Sequence, residues 1–248
     1  MEHQFTRTQL LLGDSALETL RNSRVAVFGA GGVGGYAIEA LARSGVGEIA
    51  VIDNDKVCVT NINRQIYALM STIGQYKVDV AEQRIRDINP DCVVRTFKMF
   101  YLPDNADEFA LADYDYVVDC IDTVVAKMEL AKRCHALKIP FISSMGAANK
   151  MDAAAFRVAD ISKTKIDPLA KVLRKKLRAQ GIRHFKVVYS EEEPLKPLIT
   201  GSLTDYLPAG SSRRSVPASN AFVPPSAGLL IAGEVVKDLL EKAGTFRE

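Results

Sequence analysis

The chain has 248 residues, 48% of them hydrophobic and 25% charged, with a mean hydropathy of +0.02. That is enough apolar material for a sizeable core, and it excludes a disordered or collagen-like polymer. No apolar stretch reaches the roughly 20 residues a bilayer span needs, and residues 1–9 are polar rather than signal-like, so a soluble cytoplasmic protein without membrane contact is expected. Cys58, Cys92, Cys120 and Cys134 include no C-x-x-C pair. The spacing disfavours structural zinc, a redox motif and a disulfide framework, and buried thiols are expected instead. Net charge is +2, but residues 160–186 hold nine Lys/Arg against two Asp. One basic segment in an otherwise mildly acidic chain hints at a polyanionic partner.

In chain order, Ser15 and Glu18 read as a capping box for a short helix ending near Arg21. Strand and helix patterns then alternate: strand 25–28, helix 33–43, strand 48–53, helix 77–88, strand 93–97, strand 116–120, helix 123–137, strand 140–143. Strands that are apolar throughout and joined by helices predict an α/β fold, with a mostly parallel sheet covered on both faces. Further strands are expected at 156–159 and 185–189. Between them, Asp167-Pro168 reads as an N-cap with proline in the first turn of a helix that Gly181 stops. That helix sets Leu169, Val172, Leu173 and Leu177 on one side and Lys171, Arg174, Lys175 and Arg178 on another. Residues 200–220, rich in Ser, Gly and Pro and containing Arg213-Arg214, read as a long mobile loop before a last helix over 226–242. No internal repeat and no independent second domain is visible.

The segment 29–35, Gly-Ala-Gly-Gly-Val-Gly-Gly, follows the first strand and opens a helix, which satisfies G-x-G-x-x-G in its required context. Gly29, Gly31 and Gly32 would let backbone approach a phosphate at a helix N-terminus. Asp53, at the end of the second strand, suits the ribose hydroxyls of an adenine nucleotide. Two cations follow. Lys77, in the first turn of a helix, opposes the macrodipole unless it faces an anion, and Arg64 carries a planar fork suited to phosphate oxygens. Each alone is equally readable as a solvated surface cation; together with the glycine loop they suit a triphosphate. Asp122, beyond the fourth strand, is either the N-cap of the next helix, a ligand for Mg²⁺, or both.

GAGGVGG, DNDKVCVTNINRQ, GQYK and DCID, in this order and spacing, resemble the ThiF/MoeB/HesA superfamily, the adenylating relatives of ubiquitin-activating enzymes. The resemblance implies a Rossmann-like, doubly wound sheet with a C-terminal antiparallel extension, in one adenylating domain over residues 1–248. Its nucleotide-binding part would cover about 22–145 and its substrate-facing part about 146–248. It also implies ATP held by the glycine loop with Asp53, Asp55, Asn61, Arg64 and Lys77, and Mg²⁺ on Asp122. Residues 5–10 (FTRTQL) resemble the family segment that supplies an arginine to the partner subunit's phosphates, which implies a homodimer with Arg7 acting in trans.

Residues 146–152, 156–173, 187–194 and 227–234 are similar to one branch, the tRNA threonylcarbamoyladenosine dehydratases, over nearly the whole chain. The branch implies ATP-dependent cyclisation of threonylcarbamoyladenosine in tRNA through a carboxyl adenylate. The absence of cysteine after Cys134 agrees, because the nucleophile would then belong to the substrate. Lys163, Lys165, Lys171, Arg174, Lys175, Arg178 and Arg183 become candidates for tRNA phosphates, with Arg213-Arg214 a weaker second set; a solvated helix face is the plainer alternative. The resemblance also allows association with cysteine-desulfurase-system proteins. Competing functions are adenylation of a ubiquitin-like sulfur carrier, an NAD(P)-dependent oxidoreductase and a non-catalytic RNA-binding module.

Overall fold

The computed structural model describes residues 2–198 and 217–246. Its centre is a seven-stranded sheet in the order β3-β2-β1-β4-β5-β7-β6. The strands are β1 (Arg24–Phe28), β2 (Glu48–Ile52), β3 (Val93–Phe97), β4 (Tyr116–Asp119), β5 (Phe141–Ser144), β6 (Phe156–Asp160) and β7 (Lys186–Ser190). All neighbouring pairs are parallel except β6 with β7, so the antiparallel extension lies at one edge, as expected.

Period-two alternation along β1 divides the core. Val25 and Val27 join one apolar cluster, Ala26 and Phe28 the other, and all four are fully buried. The first cluster is covered by α2 (Asp14–Arg21), α3 (Gly34–Ser44), α4 (Lys77–Ile88) and α7 (Val223–Ala243), the second by α5 (Val124–Leu137) and α6 (Pro168–Arg178). A strand buried on both faces cannot show a polar face, which is why these segments read as continuous apolar runs. Strand order reverses between β1 and β4, and the crevice at their carboxyl ends is where open α/β sheets bind ligands.

Several boundaries differ from expectation. The N-terminal region forms two helices, α1 (Thr6–Leu12) and α2, and the second starts at Asp14 after Gly13 in the N-cap position. Ser15 is therefore inside the helix and makes no capping box; the left-handed-region φ of +90° at Gly13 sets the break instead. The helix after β4 has Thr123, not Asp122, as its N-cap residue. In α6, Val172 is exposed and Ala170 takes its place against the core with Leu173 and Leu177. The last helix starts three residues early, because Pro224 and Pro225 occupy a first turn whose N–H groups have no intrahelical partner. Residues 199–216, with Arg213-Arg214 and most of the expected loop, lie outside the described residues.

Candidate active site

A cleft of about 700 Å³ opens over the switch point, with Gly31, Asp53, Arg64, Lys77, Asp122 and Gly146 among its lining residues. The loop after β1 forms its floor. Gly29 turns with φ +92°, and a Cβ there would meet the Cys120 carbonyl at 2.9 Å. A Cβ on Gly31 would meet nothing closer than Gln65 Nε2 at 3.8 Å, so this part of the floor is open to a ligand. Gly35 N–H bonds Gly31 O, which makes the intervening N–H groups the partnerless first turn that favours an anion.

Asp53 anchors this floor while lining the cleft. Its Oδ2 accepts from Ala30 N at 2.7 Å and its Oδ1 from Asp55 N at 2.8 Å. Burial pushes its carboxyl above the usual carboxylate range, against the opposing pull of Lys77 and these two N–H groups. Lys77 is buried, at 5% exposure, so the surface reading of this cation is excluded. Its Nζ lies 2.7 Å from Asp55 Oδ2 and 4.0 Å from Asp53 Oδ1, so the anion that the helix position demanded is a carboxylate pair at the cleft. Arg64 is half-buried; its Nη1 donates to Thr60 O at 2.9 Å and Asn63 Oδ1 at 3.0 Å, and burial lowers its proton affinity. Asn61 is buried, with Oδ1 accepting from Cys58 N.

Asp122 is an exposed lining residue on the loop between β4 and α5. Beneath it sits a group that sequence reasoning missed. Asp119, fully buried, accepts from Lys127 Nζ at 3.0 Å and Ser143 Oγ at 2.6 Å through Oδ2, and from Ile121 N through Oδ1. Lys127 also donates to the Ser144 carbonyl at 2.7 Å. This pair ties the loop carrying Asp122 to the end of β5. Lys127 is in the middle of a helix, where a lysine ordinarily signals solvent, and nothing in its local pattern marks it as buried.

The opposite wall is closed by Pro217–Asn220, which was expected to be loop. Asn149, at φ +60°, donates from its backbone to Ala218 O and accepts from Ala218 N. Asn63 Nδ2 donates to Ser219 O at 3.0 Å, and Asn220 Nδ2 to Lys150 O at 2.8 Å. These side chains staple the segment between the Arg64 side of the cleft and the wall after β5. Tyr189 is buried and is not among the lining residues of the cleft, its hydroxyl donating to Glu191 at 3.0 Å.

On α6, Lys171, Lys175 and Arg178 are exposed, as are Lys163, Lys165 and Arg183 nearby. Arg174 differs from them. Its Nη1 donates to the carbonyl and hydroxyl of Thr164, so it clamps the turn before the helix. Leu169, in the first turn of α6, lines the cleft, so the cationic helix begins at the cleft wall. Arg7 is exposed on α1 and is not among the lining residues of its own cleft. Cys92 and Cys134 are buried, but Cys58 is exposed, against expectation. A hydrogen bond with Thr60 lowers its thiol pKa, whereas burial pushes Cys120 up to about 12.

Comparison with known proteins places this geometry. The ThiF family model matches residues 5–246. The tRNA threonylcarbamoyladenosine dehydratase of Bacillus subtilis is 50% identical over 246 residues, covering 97% of this chain and 96% of its own, and that of Escherichia coli is 35% identical, covering 97% and 94%. The solved structure of the E. coli enzyme, TcdA, in complex with ATP superposes with a TM-score of 0.86 at 35% identity, over 97% of this chain and 95% of that one. With the sheet order, the glycine floor and the full-length match all in agreement, this chain belongs to the ThiF family, in its tRNA threonylcarbamoyladenosine dehydratase branch.

Proposed function

We propose that this protein catalyses the ATP-dependent dehydration of threonylcarbamoyladenosine in tRNA to its cyclic form. The observation that carries the reading is that buried Lys77 and half-buried Arg64 both line the cleft beside an open glycine floor at the switch point. Two cations in one cleft with a helix N-terminus suit a triphosphate, and nicotinamide chemistry has no use for them. The substrate carboxylate is a poor electrophile, because its leaving group would be oxide. Its oxygen therefore attacks the α-phosphorus of ATP and pyrophosphate departs. Arg64 and Lys77 stabilise the charge that develops on the phosphoryl oxygens. The neighbouring ureido group then attacks the activated carbonyl and loses its proton, and AMP leaves with the former carboxylate oxygen. Net loss of one water from the substrate follows, and intramolecular attack benefits from high effective molarity.

The residues fit the remaining parts of the reading. Asp122 offers one exposed carboxylate on the cleft wall, and among the described residues no group of three or more His, Cys, Asp or Glu gathers that could hold a metal by protein ligands alone. That suits Mg²⁺, which takes one or two carboxylates together with phosphates and water and would neutralise charge on the leaving pyrophosphate. Asp53 would hold the ribose and Asn61 the phosphate side. In this reading residues of about 22–145 bind nucleotide and those of about 146–248 face the RNA, with the exposed cations of α6 tracking its phosphates. Leu10 and Leu11 on α1 are 74% and 73% exposed, an apolar pair that a homodimer would cover while bringing Arg7 to its partner's cleft. Among the described residues no helix is long and apolar enough to cross a membrane, and the cytoplasm is the compartment that holds such tRNA.

The test is direct. With Mg²⁺ and tRNA carrying threonylcarbamoyladenosine, the purified protein should exchange labelled pyrophosphate into ATP, release AMP and shorten the tRNA mass by one water. Adenylation of a protein tail without tRNA, or hydride transfer to a nicotinamide, would overturn the reading.

A further inference from the structure

Among the described residues, three that line the cleft carry a buried polar atom with no hydrogen-bond partner: Gln65 Oε1, Tyr101 Oη and Ser219 Oγ. Gln65 is 7% exposed. Gln65 and Ser219 flank Arg64 from two directions. Gln65 follows it in the chain, with Nε2 toward the open face of Gly31. Ser219 is held over it by Asn63, whose amide donates to the Ser219 carbonyl while its own oxygen accepts from Arg64 Nη1. Leaving a buried polar atom unpaired is costly, and such atoms in a native cleft call for a ligand that completes them.

The chemistry of the unpaired atoms discriminates between ligands. Phosphate oxygens only accept, so no part of a triphosphate can satisfy Gln65 Oε1, which needs an N–H or O–H. A ureido N–H and a threonyl hydroxyl are such donors, their nitrogen and oxygen two and three bonds from the carboxyl carbon of the group that must reach the α-phosphorus beside Arg64. We propose that Gln65 and Ser219 form the acyl subsite: Gln65 Oε1 accepts from the ureido N–H, and Ser219 Oγ pairs with the hydroxyl of the threonyl side chain, making Ser219 the residue that reads threonine. This rests on the function proposed above and adds to it the selection of the acyl group.

A site built to hydrogen-bond a substrate hydroxyl rejects an analogue lacking it far more strongly than an apolar pocket does. The probe is tRNA carrying glycinylcarbamoyladenosine, which has no side-chain hydroxyl, compared with the threonyl form. Wild-type protein should favour the threonyl form by at least about tenfold in kcat/KM. Ser219→Ala should bring the ratio near one while leaving thermal stability and ATP affinity unchanged, since it removes a hydroxyl with no partner. Gln65→Met should lower kcat/KM for both RNAs by about tenfold or more, with the Kd for ATP within about twofold. An unaltered ratio in Ser219→Ala, or a loss in Gln65→Met matched by an equal loss of ATP affinity, would overturn the subsite. Failure of wild-type protein to cyclise either RNA would instead count against the function itself.

Discussion

Lys77 stands in the first turn of α4, where the helix dipole opposes a cation, and it is nearly inaccessible to solvent. Two carboxylates compensate it, and a phosphate chain entering the cleft would compete for the same ammonium. Lys77→Met should therefore weaken ATP binding by about tenfold or more, read by calorimetry. It should also push the Asp53 carboxyl higher still, because burial would act without its opposing cation. Lys150 illustrates a buried charge on a different segment from Lys77. Its Nζ donates to the Glu192 carbonyl, and burial holds its pKa below the usual 10.5, against the pull of Asp167 and Glu192. Between that lowered value and 10.5 the unfolded chain binds more protons than the folded protein, so this residue makes stability rise as pH rises through the interval. Urea unfolding below and within that window should show the rise in wild-type protein and a smaller one in Lys150→Met.

At the scale of elements, α6 separates two kinds of arginine and lysine that look alike in sequence. Lys171 and Lys175 are exposed, whereas Arg174 is bonded to Thr164. Reversing Lys171 and Lys175 to Glu should flatten the salt dependence of tRNA affinity by about two units of log–log slope and leave thermal stability unchanged. Arg174→Ala should do the opposite, lowering stability by about 1–2 kcal/mol with little change in that slope. The helix itself was legible from its N-cap: Asp167 Oδ1 accepts from Ala170 N at 2.8 Å, as Asp-Pro predicted. By contrast the Ser15 and Glu18 pattern was a false signal, because Gly13 at positive φ had already broken the chain and Asp14 had started the turn. A capping motif specifies geometry only where the backbone before it is extended.

Across the whole molecule, the Asp119–Lys127 pair joins β4, α5 and β5 beneath the cleft. Replacing a buried ion pair by apolar residues of similar volume is often neutral for stability, whereas removing one partner costs about 3–5 kcal/mol. Lys127→Met alone should accordingly lower the melting temperature sharply, and Asp119→Leu with Lys127→Met should recover most of it; a double variant no more stable than the single would count against a pair that can be exchanged. The homodimer proposed above makes a separate prediction. If Arg7 serves the partner's cleft, inactive Arg7→Ala and inactive Arg64→Ala proteins, mixed and allowed to exchange subunits, should regain about a quarter of wild-type activity, since half the dimers then hold one intact site. No recovery in a mixture shown to exchange would place Arg7 outside the partner's site.

The fold class, the seven strands and the glycine-floored side of the cleft were determined by the sequence alone, because their signals are local: apolar runs of strand length, glycines where backbone must turn or lie bare, a cation where a helix dipole opposes one. Tertiary structure decided the rest. Whether a lysine is surface or core, as at Lys127, whether an arginine meets RNA or its own chain, as at Arg174, and which residues face Ser219 across the cleft all depend on segments far apart in the chain. Burial and hydrogen-bond partnership belong to the packed whole, and no periodicity encodes them one residue at a time.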